Sequence, residues 1–216
     1  MKITVFGASG GVGREVVRQA LDAGHEVTAV VRDPARLPVP AHERLRVATV
    51  ADVTDPEAAL SVIDGQDAVV SALGAASNKQ ARTTPVAGPA LSAITSAMDR
   101  AGVRRLSVVS AAPVGPLPEG EGFLTRAVVY PLLRRLLRDV YADLAAMEAV
   151  VASGGTGWTV VRPPRLQDKP HTGGYRRVIG ANVPGGSVIP RADVADALLT
   201  ALTDPACTCR AVGVAS

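Results

Sequence analysis

The chain has 216 residues, 47% of them hydrophobic but only 3% aromatic. That is enough apolar material for one α/β domain with an aliphatic core, and it is unlike the composition of a disordered chain. The 23 basic and 20 acidic residues leave a formal net charge of +3, a small scattered excess that suits solubility and an anionic small ligand. With no long basic run and few aromatic side chains to stack on bases, nucleic acid is excluded as a partner.

Strand and helix patterns alternate along the whole sequence, the signature of a parallel sheet with helices on both faces. Residues 3–6 form the first strand. No signal peptide precedes it, and no apolar run is long enough to span a bilayer, so a cytoplasmic protein without a membrane segment is expected. Residues 11–23 form a helix closed by Gly24, residues 26–31 the second strand and residues 45–50 the third. A helix over 56–63 is capped by Asp55 or Thr54, and the fourth strand covers 68–71. A longer helix is predicted over 84–101, ending at Gly102, followed by a fifth strand over 105–110 and a loop rich in Pro and Gly over 112–122. The amphipathic stretch 123–152 has Pro131 near a helix start or break. Strand six covers 159–161, the last helix 193–202 and a closing strand 211–214. Cys207 and Cys209 are spaced to face opposite sides of a strand, so neither a disulfide nor a metal site is expected.

Right-handed crossovers and the strand order 3-2-1-4-5-6 place a ligand crevice at the carboxyl ends of strands one and four. The segment 163–190 is irregular and too short for a domain of its own. It is predicted to form a small C-terminal substrate lobe over the crevice. The domain is thus 1–216, a doubly wound sheet of the Rossmann type.

Residues Gly7, Ala8, Ser9, Gly10, Gly11, Val12 and Gly13 follow an apolar strand and open a helix, the context in which a glycine pattern becomes a nucleotide fingerprint. Gly7 permits the sharp turn, Gly10 lets a diphosphate approach the backbone, and Gly13 lets helix pack closely on strand. The unpaired N–H groups and the helix dipole favour the anion.

Strand two ends in Val31, Arg32, Asp33, Pro34, Ala35, Arg36 and Leu37. An acidic residue near this position would bind the ribose hydroxyls of NAD, which is the reading for Asp33 as a sugar ligand. Because Pro34 follows, Asp33 is better placed as a helix N-cap. Arg32 is then free to pair a 2′-phosphate, with Arg36 in support, which favours NADP(H) over NAD. Both arginines are otherwise solvated surface residues. Asp52, with Val53 beside it, could accept from the adenine amino group or serve as a loop carboxylate. Ala72, Leu73 and Gly74 follow strand four, where Gly74 would admit ribose and nicotinamide. Lys79, in the next loop, could reach a phosphate but is read as a solvated lysine.

These motifs, with the later run Trp158-Thr159-Val160-Val161-Arg162-Pro163-Pro164 and the segment 189–195, resemble the atypical short-chain dehydrogenase/reductases. The NmrA-like and biliverdin-IX-beta-reductase or flavin-reductase-like NAD(P)-binding proteins are the most similar group, and the resemblance spans nearly the whole chain. It implies that the segments after strands five and six border the nicotinamide. Ser110, Pro163, Pro164 and Arg165 would then lie near the hydride path, with Ala111 and Ala112 facing substrate. The usual Tyr-x-x-x-Lys pair is missing. Tyr141 is followed four residues later by Ala145, and alignment back from Trp158 puts Asp139 and Asp143 in the two places. Without the lysine charge a tyrosine donates its proton poorly.

Hydride transfer to a flavin, quinone or enone can draw its proton from water, and the cofactor carries the chemistry. Arg165 is placed to hold a developing negative charge. His171 and Tyr175 are possible acid or substrate contacts, or surface loop residues. The run 132–138 is amphipathic and basic, suited to a membrane or partner, but read here as a helix that buries its leucines and solvates its arginines. Two functions follow: an NADPH-dependent reductase of a small-molecule substrate, or a non-catalytic NADP(H)-binding redox sensor, in either case a monomer or homodimer.

Overall fold

Alternation along the first strand sets the layering. Ile3 and Val5 face one side of the sheet and Phe6 the other, all fully buried. The computed structural model describes residues 1–75, 77–118 and 121–216. Its strands are β1 (Lys2–Phe6), β2 (Glu26–Val31), β3 (Leu45–Thr49), β4 (Ala68–Ser71), β5 (Arg105–Val109), β6 (Gly157–Arg162), β7 (Arg165–Gln167), β8 (Arg176–Ile179), β9 (Val188–Pro190) and β10 (Arg210–Ala215). Its helices are α1 (Gly11–Asp22), α2 (Pro56–Ile63), α3 (Asn78–Thr83), α4 (Ala87–Ala101), α5 (Tyr130–Leu136), α6 (Arg138–Ser153) and α7 (Arg191–Thr203).

The main sheet has eight strands in the order β3-β2-β1-β4-β5-β6-β10-β8. All pair in parallel except β8, which runs antiparallel to β10. The expected core order and the closing strand are thus present. Helices α1 and α7 cover one face, where Val16, Val17, Val194 and Leu198 pack against Ile3 and Val5. Helices α2, α4 and α6 cover the other, where Ile63, Leu91, Ile94, Met98 and Met147 surround Phe6 and Val69. Each such side chain contributes roughly 1.5–3 kcal/mol when fully buried. Two buried layers hold the carboxyl ends of β1 and β4 rigidly together, and the turn between β1 and α1 opens there.

Several elements differ from the sequence expectation. The helix predicted from residue 84 is two helices: Pro85 keeps Thr84 out of helical geometry, at φ −147° and ψ 80°. Lys79 therefore lies in α3 and not in a loop. The lobe 163–190 is not irregular. It contains β7 and β9, which pair with each other, and β8, which lengthens the main sheet. Cys207 sits in a 3₁₀ turn and Cys209 just before β10, both as free thiols and neither within a strand. The stretch 123–152 divides at Leu137 into α5 and α6, preceded by a π-helical turn over Thr125–Val129. Leu132 and Leu136 are 52% and 61% exposed, so α5 does not bury its leucines as expected. Glu119 and Gly120 of the expected Pro/Gly loop lie outside the described residues.

Candidate functional site

The turn after β1 is built from three distinct glycine requirements. Gly7 adopts φ +74°, and a Cβ there would stand 2.7 Å from the carbonyl oxygen of Ala72. A Cβ on Gly13 would stand 2.2 Å from the Gly7 oxygen, so α1 can approach the turn only without a side chain. Gly10 has ordinary extended backbone (φ −75°, ψ 165°) and its Cβ would meet only the Gly7 oxygen at 3.2 Å. The space beside Gly10 is open. Helix α1 has no side-chain cap and no acidic residue in its first turn, which leaves its N–H groups and positive pole available to an anion.

A cavity of about 450 Å³ extends from this turn, lined by Gly7, Ser9 and Gly10 and by the carboxyl ends of β2, β3 and β4. Its volume is in the range of small-molecule sites. Arg32, Arg36, Asp52, Val53, Ala72, Leu73 and Gly74 all line it. The glycine turn, the two arginines and the loop after β4 therefore share one cleft. Gln80, Thr84, Pro85 and Val86 line it too and were not anticipated. The break at Pro85 brings them there.

Charge at the β2 end is arranged as the sequence suggests. The Asp33 carboxylate accepts the Ala35 N–H at 3.0 Å and caps the 3₁₀ turn Pro34–Arg36. Arg32 and Arg36 are exposed and have no ion-pair partner among the described residues. Asp52 accepts both the N–H and the hydroxyl of Thr54, at 2.8 and 2.6 Å, and these bonds hold its carboxyl below the usual carboxylate value. This is the loop-carboxylate reading, although Asp52 still borders the cavity.

Beyond the cavity the chain ends of β5 and β6 run side by side, with the Ser110 N–H on the Val161 oxygen and the Ala112 N–H on the Pro163 oxygen, both at 2.8 Å. Ser110 is buried, and its hydroxyl donates to Glu148 Oε1 at 2.6 Å. The same carboxylate receives Nε of Arg162 at 3.0 Å and also Nη2. The Arg162–Glu148 side chains are only 14% and 13% exposed. Ser110 is thus committed as a donor to an ion pair that the sequence reading missed. A helical glutamate and a strand-end arginine read separately as solvated charges, and nothing in the linear order couples them.

Tyr141 is half-buried, and burial, with Tyr130 nearby, pushes its hydroxyl above its ordinary pKa. Asp143, one of its rivals in the alignment, has a different task. Its carboxylate accepts the N–H groups of Val86, Ala87 and Gly88, each at 3.0 Å, and caps α4. The other, Asp139, is held by the side chain of Asn78. Arg165 is exposed on β7, and Pro164, beside it, is partly buried. His171 is not in this cleft. It lies 3.8 Å from Asp193 and 3.7 Å from Asp196, in a depression lined by Met1, Ile3 and His25 at the amino end of β1. Tyr175 donates to Asp196 at 2.7 Å, and burial and that carboxylate raise its hydroxyl well beyond the usual range. Among the described residues no cluster suited to a metal ion occurs, and no helix is long and apolar enough to cross a membrane.

The family model described as NAD(P)H-binding matches residues 7–205. The chain is 32% identical over 211 residues to the uncharacterized protein YwnB of Bacillus subtilis, covering 95% of this chain and 93% of YwnB. A wide-type short-chain dehydrogenase/reductase from Veillonella parvula, solved in complex with NADP, superposes with a TM-score of 0.77 at 19% identity, over 100% of this chain and 94% of the other. ChuY of Escherichia coli O157:H7, described as an anaerobillin reductase, gives a TM-score of 0.77 at 21% identity, over 100% and 97%. At these identities the two structures show a shared fold.

Proposed function

The chain belongs to the NAD(P)H-binding family, and on that premise we propose that it is an NADPH-dependent reductase of a small conjugated acceptor, of flavin, quinone or enone type. The observation that carries the cofactor choice is the pairing of Arg32 and Arg36 on one cavity wall with Asp33 turned to its own backbone. A carboxylate occupied as a cap is a poor sugar ligand, and two guanidinium groups without an ion-pair partner among the described residues suit a 2′-phosphate.

The residues present fit a dinucleotide. The open side of Gly10 and the uncapped start of α1 would hold the diphosphate. Arg32 and Arg36 would hold the 2′-phosphate, and Ala72, Leu73 and Gly74 would border the ribose. When bound, the nicotinamide supplies the hydride. The chain contributes position: Ser110, Pro163 and Pro164 at the ends of β5 and β6 would border the ring, with Ala111, Ala112 and Arg165 toward the acceptor. Ser110 gives its proton to Glu148, so toward an acceptor it offers a lone pair. Tyr141 has no lysine four residues later, where Ala145 stands. Acceptors that take their proton from water suit such a site.

The same lack of a proton donor favours the second reading, a non-catalytic NADP(H)-binding redox sensor. NADPH oxidation measured against a panel of flavins, quinones and enones separates the two. Turnover above the protein-free rate is expected for the reductase. A silent panel with tight NADP(H) binding would replace it with the sensor.

A further inference from the structure

Arg191 opens α7, and its side chain lies along Gly11, the first residue of α1. A Cβ on Gly11 would stand 2.6 Å from Cδ and 2.8 Å from Nε of Arg191. Gly11 does not have positive φ. Its lack of a side chain makes room for this arginine. Nη1 of Arg191 donates to Oδ1 of Asp168 at 2.7 Å, and Asp168 is 83% exposed. Both residues are delivered by the small sheet, in which Gln167 of β7 is in register with Pro190 of β9. Asp168 and Arg191 are the next residues on each strand.

This places a cation beside the positive pole of α1, where no acidic side chain stands in the first turn. A cation at a helix N-terminus is disfavoured by the dipole unless an anion lies between them. Asp168 offers a counter-charge only from the solvent side. An anion seated on the α1 N–H groups would bring the guanidinium a second partner, and a guanidinium fork matches phosphate oxygens.

Resting on the cofactor reading above, we propose that Arg191 is a ligand of the bound cofactor's diphosphate. Reaching Gly11 from the start of α7, it exchanges or shares the Asp168 carboxylate with a phosphate oxygen. Arg32 then reads the 2′-phosphate, which only NADP(H) carries. Arg191 reads the diphosphate, which NAD(H) carries as well.

Calorimetric titration of NADP⁺, NAD⁺ and adenosine 2′-monophosphate tests this on the parent chain, Arg191→Ala and Arg191→Lys. Arg191→Ala should weaken both dinucleotides alike, by about 10- to 100-fold, as for a lost charge-assisted contact. It should leave adenosine 2′-monophosphate, which lacks the diphosphate, unchanged. Arg191→Lys should recover part of the loss. Gly11→Ala, which crowds Arg191, should cost affinity in the parent and little more in the Arg191→Ala background. Unchanged dinucleotide affinity in Arg191→Ala, with a parent that binds, overturns this inference alone. So does an equal loss for the monophosphate, which would mean that the arginine acts through the fold. A folded parent that binds no dinucleotide overturns the cofactor reading itself.

Discussion

Gly10 and Gly13 belong to one motif, yet their substitutions should report different things. In Gly13→Ala the new methyl would stand 2.2 Å from the Gly7 oxygen, 2.8 Å from the Gly7 carbonyl carbon and 3.0 Å from the Ala8 Cα. All of these are backbone atoms, which cannot rotate away as a side-chain end can. Overpacking of this kind costs ~1–3 kcal/mol, and the upper end applies when α1 itself must move. Alanine recovers about 1 kcal/mol over glycine in a helix, so the net loss is about 2 kcal/mol. For a chain of this size that lowers Tm by roughly 4–8 °C. Gly10→Val is the contrast. Its backbone geometry suits any residue, and its Cβ meets one atom, the Gly7 oxygen, at a tight 3.2 Å; the turn has to give only slightly, so the fold should hold with a small loss while the branched side chain fills the diphosphate space. Thermal melts with and without NADP⁺ make the comparison. The parent should gain Tm from ligand, Gly13→Ala should start lower, and Gly10→Val should start near the parent and gain nothing. A Gly10→Val protein that melts like the parent and is still stabilised by NADP⁺ would refute the assigned phosphate turn.

Three further outcomes follow. Asp143→Ala removes the acceptor of the α4 N–H groups of Val86, Ala87 and Gly88. Buried donors left unpaired cost ~1–3 kcal/mol each, and those of Ala87 and Gly88 are buried, so denaturant unfolding should show a loss of about 2 kcal/mol or more. A loss under about 1 kcal/mol would show that the cap is dispensable. Tyr141→Phe should leave turnover nearly unchanged, whereas Arg165→Ala should lower it by up to ~10²-fold if that charge meets the developing anion; the reverse pattern would restore a tyrosine acid. Because the Tyr141 hydroxyl is held protonated past its ordinary value, the pH–rate profile should carry no limb from it between about pH 6 and 9. A limb that disappears in Tyr141→Phe would contradict this.

The parallel core was legible because most of its strands are short, largely apolar runs bounded by turn residues, and because chirality then allows few orders. The Asp33 cap was legible because a carboxylate before Pro34 has a local partner within two residues. Signals that depend on distant pairing were not. Glu148 and Arg162 become an ion pair only once α6 lies across β6. Asp143 becomes a cap only because α6 passes the start of α4. β8, with Arg176 and Arg177, is a short edge strand with little apolar alternation, and it gains its place from β10. One miss was avoidable. Proline disfavours helix in the residue before it, so Thr84-Pro85 marked the boundary between α3 and α4.

Arg32 is the residue through which this cleft would select NADP(H). The dissociation constants of NADPH and NADH, measured side by side on the parent chain and on Arg32→Ala, decide whether it does. The parent should prefer NADPH. Arg32→Ala should lose ~1–3 kcal/mol of NADPH binding, about 10- to 100-fold, while NADH binding changes little. Equal affinities in the parent, or equal losses for both cofactors in the variant, would contradict it.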